Sequence, residues 1–171
     1  FGQGAMRCHP FVRDEIDAAN MNDKVKGYQK FDTLLCAHIG YAVSNVFRSL
    51  FFGFGGWRFI KSPGTSKTAS YYKQLTRMSS ALALLSDLAM LSLGAKLKRK
   101  ERLSARLGDV LSQLYLGSCV LKYYHDLGEP KEELAYVKWC IETVLYECQK
   151  AIDEFCINYP TKWLGTLMSL V

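Results

Sequence analysis

LKRKERLSARLGDVLSQLYLGSCVLKYYHDLGEPKEELAYVKWCIETVLYECQKAIDEFCI, residues 97–157, writes two long amphipathic helices joined by one tight turn. In its first half Leu103, Leu107, Val110, Leu114, Leu121 and Tyr124 recur at helical spacing, and in its second half Leu134, Val137, Ile141, Leu145, Cys148, Ile152 and Phe155 do the same. Between the halves, His125-Asp126-Leu127-Gly128-Glu129-Pro130 supplies a glycine stop and a proline suited to a first helical turn. Glu132 and Glu133 then stand where the next helix's N-terminal dipole favours anions. Two antiparallel helices follow, each burying one apolar stripe.

Working outward, the remaining sequence is helical almost throughout, with no sustained two-residue alternation. A short helix is expected from Pro10 to about Asn20, with Asp14 and Glu15 near its N-terminus. A second runs from Asp23 through Phe31, Leu34, Leu35, Ile39, Ala42 and Val46 to about Leu50, and breaks in Phe52-Gly53-Phe54-Gly55-Gly56. Ser62-Pro63-Gly64-Thr65-Ser66 is turn chemistry. Thr65 or Ser66 can cap a third helix with the stripe Leu75, Met78, Leu82, Leu85, Ala89 and Leu93, stopped by Gly94. Tyr159-Pro160 ends the fifth helix before a short apolar tail from Lys162 to Val171. The expectation is an all-α, up-down bundle of four long helices with short terminal helices.

At 171 residues, 49% hydrophobic and 22% charged, the chain can bury one good core within a single domain. A formal net charge of +6 without recurring aromatic and basic runs argues against nucleic-acid binding. Cys8, Cys36, Cys119, Cys140, Cys148 and Cys156 show no CxxC pairing, so no metal site is expected. Cys140, Cys148 and Cys156 repeat every eight residues along one helix, which favours reduced thiols in a cytosolic setting. There is no signal-peptide pattern, and the opening Phe1-Gly2-Gln3-Gly4 reads as a piece of a longer polypeptide.

Three blocks carry a family resemblance. Lys98-Arg99-Lys100-Glu101-Arg102-Leu103-Ser104-Ala105-Arg106-Leu107-Gly108-Asp109-Val110-Leu111-Ser112-Gln113-Leu114-Tyr115-Leu116 resembles the C-terminal region of the bacterial FadE-type acyl-CoA dehydrogenases. So do Phe1-Gly2-Gln3-Gly4-Ala5-Met6-Arg7-Cys8-His9-Pro10 and His38-Ile39-Gly40 followed by Ser44-Asn45. More remotely, Arg106-Leu107-Gly108-Asp109 with Leu114-Tyr115, and Trp139-Cys140-Ile141-Glu142, are similar to the C-terminal helical domain of mitochondrial very-long-chain acyl-CoA dehydrogenases.

The resemblance implies a C-terminal domain of a fatty-acid β-oxidation enzyme, with 1–22 the end of the preceding dehydrogenase region plus a short helix, and 23–171 the C-terminal bundle. It implies that FAD and acyl-CoA are bound by the catalytic domains of the same polypeptide. It also implies a homodimer in the bacterial cytoplasm, with a contact to the inner membrane. In that family the base is a glutamate in a Glu-Gly-x-Asn/Ser turn, which the resemblance places before Phe1. Glu101, Glu129, Glu132, Glu133, Glu142, Glu147 and Glu154 all lie in helical or capping contexts outside such a turn, so no catalytic and no cofactor-binding residue is assigned here. Gly53, Gly55 and Gly56 follow a helix and lack a GxGxxG or Walker spacing, so they read as a turn. The alternative reading is a free-standing helical interaction module without flavin chemistry.

Candidate contact residues remain. Arg106 and Asp109, three apart on one helix, form either a local ion pair or a tie from the bundle to another domain. At 100° per residue, Trp139 and Tyr146 fall opposite Leu134, Ile141, Leu145 and Ile152, where large aromatics suit a second body. Lys96, Lys98, Arg99, Lys100 and Arg102 crowd one helix junction, which either stays solvated or takes an anionic partner. His38 reads as a packing histidine, with no acid near it in sequence. The segment 46–60 is too short and too interrupted by glycine to span a bilayer. Phe54, Trp57 and Arg58 suit an interfacial membrane contact or a docking surface for the enzyme's own catalytic domains.

Overall fold

A computed structural model describes residue 4, residues 9–63, residue 65 and residues 67–170, with Trp57 and Ala95 described by backbone alone. Among residues 9–63 and 67–170 these α-helices run in order: α1 Val12–Ala19, α2 Lys24–Gly53, α3 Ala69–Leu93, α4 Glu101–Asp126, α5 Leu134–Ile157 and α6 Lys162–Met168. Short 3-10 turns at Gly56–Phe59, Gly94–Arg99 and Lys131–Glu133 punctuate them. The architecture is all-α, with four long helices, α2 to α5, and short terminal ones, as the periodicities predict.

The helix ends follow local chemistry. Asp23 caps α2 by accepting the Lys26 amide at 3.3 Å. α1 starts at Val12 rather than Pro10, because His9 Nδ1 accepts the Phe11 and Val12 amides, each at 3.3 Å. α3 starts at Ala69 after Thr68, with the Thr65 carbonyl accepting the Thr68 and Ala69 amides; Ser66, the other expected cap, lies outside the described residues. Gly94 and Gly128 take the left-handed φ values of +50° and +79° that end α3 and α4. Glu129 follows at φ +58° with its carboxylate accepting Thr65 Oγ1 at 2.5 Å and contacting His125 Nδ1 at 3.2 Å. Those two bonds hold its carboxyl below the ordinary pKa and tie the α4–α5 turn to the loop before α3.

The core lies among α3, α4, α5 and α6. Leu75, Met78, Leu82, Leu85 and Ala89 of α3 meet Leu103, Leu107, Val110, Leu114 and Leu121 of α4. Val137, Ile141, Cys148, Ile152 and Phe155 of α5 close the layer, and Met168 of α6 plugs its end. These are the stripes read from the sequence, with Leu93, Leu134 and Leu145 partly buried at the margin. Tyr159 is fully buried beyond α5 and shares a hydrogen bond with the Ser92 hydroxyl at the end of α3. Burial pushes the Cys148 thiol up to about 12 and the Cys156 thiol up to about 11, so both stay protonated at neutral pH. Cys8 lies outside the described residues, and the other five cysteines are free thiols.

α2 departs from expectation. Among the described residues the buried apolar core takes nothing from it; its own buried residues are Gly27, Asn45 and Ser49. Leu35 and Ile39, among the apolar residues read along this helix, are exposed, Ile39 by 56%. The physical reason is that α2 is apolar nearly all round over 34–54, so periodicity chooses no face, and the polar groups that need partners decide the rotation.

Candidate functional site

The polar groups that set α2's rotation form a seam along α1, α2 and α3. Asp87 of α3 is 4% exposed, and its Oδ2 accepts Asn45 Nδ2 at 3.0 Å. Arg48 Nη2 donates to Asn45 Oδ1 at 3.0 Å, which fixes the amide's orientation. One turn on, Ser49 Oγ donates to the Ser80 carbonyl at 2.9 Å. The one buried carboxylate of this seam, Asp87, is thereby linked to the exposed Arg48 guanidinium only through the neutral Asn45 amide.

At the upper end of the seam two histidines meet, with ring centroids 4.5 Å apart. His38 Nδ1 lies 2.8 Å from Glu15 Oε1, so in its neutral form Nδ1 carries the proton and donates to the carboxylate. The His9 ring uses Nδ1 as acceptor for α1's first amides, so Nε2 carries the hydrogen in its neutral form. That nitrogen sits 3.4 Å from Asp87 Oδ1, without hydrogen-bond geometry. Burial consequently outweighs Asp87's pull, and His9's pKa falls below its ordinary value. Phe11 stacks on His38 at 5.8 Å and meets Tyr41 edge-on at the same distance. The arrangement clamps α1 and the residues before it onto α2, with His9 lying beside Asp87 of α3. Sequence reasoning missed His38's acid because Glu15 is 23 residues away. The only signal was the brief turn at 20–23, which returns α2 past α1.

The opposite face of α2 is the larger surprise. Leu35, Ile39, Val43, Phe47 and Phe51 form an exposed row, with Phe47 69% exposed. From residue 33 to 47 there is no Asp, Glu, Lys or Arg. Around that uncharged stretch the balance is basic: residues 24–68 hold seven Lys or Arg against Asp32 alone, a surplus of six that equals the whole chain's +6. Phe54, 87% exposed, and Phe59 extend the row beyond α2, beside exposed Arg58. Lys73 Nζ donates to the Arg58 carbonyl at 2.7 Å and pins that turn to α3; Trp57 is in the same turn, its side chain outside the described atoms.

The remaining candidates lie elsewhere. Arg106 bridges Asp109 at 2.7 Å and reaches across to Glu154 of α5 at 2.5 Å, so it ties α4 to α5 as well as making the local pair. Trp139 and Tyr146 lie on the outer side of α5, 68% and 65% exposed, with Tyr136 in the same row. The two aromatic rows are on different helices, α2 and α5. Lys96, Lys98, Arg99, Lys100 and Arg102 ring the junction of α3 and α4, anchored by buried Leu97.

The glycines that invite a nucleotide reading do not fit one. Gly53 ends α2, where carbonyls rather than amides face outward, and a Cβ at Gly56 would meet the Phe51 ring at 2.4 Å. Among the described residues no three His, Cys, Asp or Glu side chains converge where a metal could be held, and no helix is long and apolar enough to cross a membrane.

A family model described as acyl-CoA dehydrogenase, C-terminal, bacterial type, matches residues 6–171. No solved structure matches the chain.

Proposed function

The chain belongs to the bacterial-type C-terminal family of the acyl-CoA dehydrogenases, and from that premise we propose that it is a noncatalytic helical domain which supports the enzyme's assembly. In this reading FAD and acyl-CoA are held by the catalytic domains of the same polypeptide, where α,β-dehydrogenation takes place. Residues 1–22 continue the dehydrogenase region, and 23–171 form the supporting body. The observation that carries the reading is α2: a thirty-residue helix whose buried residues are polar or glycine and whose outer row is apolar. Such a helix leaves a large apolar row to water in isolation and suits a position between two bodies.

The second exposed row, Tyr136, Trp139 and Tyr146 on α5, gives the domain another contact, suited to a homodimer mate. A membrane reading is favoured by one further observation: Phe54 and Phe59 stand out beside Arg58, Lys61 and Lys67, aromatic and basic groups of the kind that sit at an anionic headgroup layer. That contact would be to the inner membrane surface, with the protein otherwise in the cytoplasm.

Purification of the isolated chain tests the noncatalytic assignment. It should be colourless, helical by circular dichroism, and inactive in acyl-CoA-dependent dye reduction. Stoichiometric flavin on the purified chain sinks the assignment. The alternative, a free-standing interaction module, requires a reading frame without several hundred dehydrogenase residues upstream.

A further inference from the structure

Before its terminal Gly53, α2 contains two glycines, Gly27 in its first turn and Gly40 in its middle, and they meet opposite surroundings. At Gly27 an added Cβ would lie 2.8 Å from the Ala18 carbonyl oxygen, so the crossing of α1 over α2 requires glycine there. At Gly40 an added Cβ would meet nothing within 4 Å. Glycine is unfavourable in a helix interior relative to alanine, and nothing in this fold asks for it at position 40.

The neighbours of Gly40 supply a reason. Cys36 and Ser44, one turn on either side, are exposed and small, so Cys36, Gly40 and Ser44 make a shallow groove along the four-residue row. Ile39, Val43 and Phe47 make the ridge beside it. A ridge and a groove side by side on one helix are what a second helix needs to interlock, at a crossing of about −50°. The strip bears no charge from 33 to 47, and His38 in the same stretch is turned inward to Glu15, so covering the strip strands no ion.

We propose that this strip, centred on Gly40, is the seat of an apolar helix contributed by the dehydrogenase domains that accompany this chain. The inference rests on the assembly reading above and names its contact. Size selects the occupant. Residues 33–51 rise about 28 Å and present one face of a single helix. One helix face falls short of the roughly 800 Å² per partner of a free-standing protein pair, so a second copy held by this strip alone would be weakly bound. A partner in the same polypeptide needs less area because its effective concentration is already high. Lipid is disfavoured by shape, since the groove is concave at its centre where an interfacial helix presents bulk.

Thiol labelling of the full-length enzyme tests this, with Cys36 as the reporter. In the intact wild-type enzyme Cys36 should react with a maleimide at least tenfold more slowly than in the denatured protein, read peptide by peptide by mass spectrometry. A photo-reactive amino acid incorporated at position 36 during synthesis should capture a peptide from the dehydrogenase domains. Gly40→Leu, which has room within this chain, should restore fast Cys36 labelling while amide protection of α3 to α5 is kept. Fast labelling of Cys36 in the intact wild-type enzyme overturns the inference and leaves the assembly reading standing. Shielding that vanishes when a native dimer dissociates on dilution, or that requires added anionic vesicles, assigns the strip to a second copy or to lipid and also overturns it. Should deletion of residues 23–171 leave the enzyme's stability and subunit assembly unchanged, the assembly reading itself fails.

Discussion

Asp87→Ala tests the seam that sets α2's rotation. The carboxylate is buried and accepts Asn45 Nδ2 at 3.0 Å, while His9 Nε2 lies 3.4 Å from Oδ1 without hydrogen-bond geometry. Alanine removes the acceptor and leaves the Asn45 amide stranded in a dry interface. A stranded buried donor costs about 1–3 kcal/mol, so a net loss of about 1–3 kcal/mol is expected. Asp87→Asn keeps an acceptor for Asn45 and should cost about 1 kcal/mol. Because the apolar core lies in α3 to α6, the loss should be regional. In amide exchange, α1 and α2 should open at a free energy lower by the full amount while Leu107 and Ile141 keep their protection. Urea unfolding followed by circular dichroism, with exchange read by mass spectrometry, measures both. An Asp87→Ala chain within about 0.5 kcal/mol of wild type, or one whose α4 and α5 lose protection as much as α2, refutes the seam.

Acid should act on the same place. His9's folded pKa lies below its ordinary value of 6.5, so between the two the unfolded state binds more protons, and His9's contribution, complete above 6.5, is lost as pH falls below it. The α1–α2 opening energy should therefore drop on acidification from pH 7, and His9→Gln should flatten that slope; an unchanged slope rejects the assignment. In the core, Leu114→Ala and Ile141→Ala should each cost about 2–5 kcal/mol, against less than about 0.5 for exposed Lys131→Ala, and equal denaturation midpoints for all three would show the helix faces to be misassigned. With thiols pushed up to about 12 and about 11, Cys148 and Cys156 should resist a maleimide at pH 8 in the isolated folded chain while exposed Cys36 and Cys119 react, and simultaneous labelling of all four contradicts this. In vesicle flotation the full-length protein, freed of any N-terminal anchor, should bind anionic vesicles and lose binding on Phe54→Ala with Trp57→Ala; binding only by the isolated chain would mean the segment is an internal docking surface.

The two C-terminal long helices were legible because each buries a single stripe against its neighbour, and burial of that kind is written as a period. Leu107, Ile141 and Phe155 could be placed from spacing alone. α2 resisted the same reading because its inner face is fixed by Asn45, Ser49 and His38, whose partners lie on other helices and leave no periodic trace. Glu15, 23 residues from His38, and Asp87, 42 residues from Asn45, become neighbours only once the helices are assembled. Arg106 shows the intermediate case. Its bond to Asp109 is local and was visible at three-residue spacing, whereas Glu154, from the next helix, was not. Trp139 and Tyr146 were legible as outward residues because the stripe they oppose was itself clear.

The contrast between the α2–α3 seam and the core has a calorimetric consequence. Heat capacity rises when apolar surface meets water and falls when polar surface does. Separating α1 and α2 from α3 uncovers the amide, carboxylate, hydroxyl and imidazole groups of Asn45, Asp87, Ser49 and His9 together with half-buried apolar side chains, two contributions of opposite sign. Melting α3 to α6 uncovers a core that is apolar throughout, of leucine, isoleucine, valine, alanine, methionine and aromatic side chains. The arm should therefore detach with a nearly temperature-independent enthalpy, and its opening should follow a straight van't Hoff line from the cold to the melting point. The body beneath it should show the usual curved stability, so that cooling weakens the body toward its cold limit while the arm's attachment only tightens.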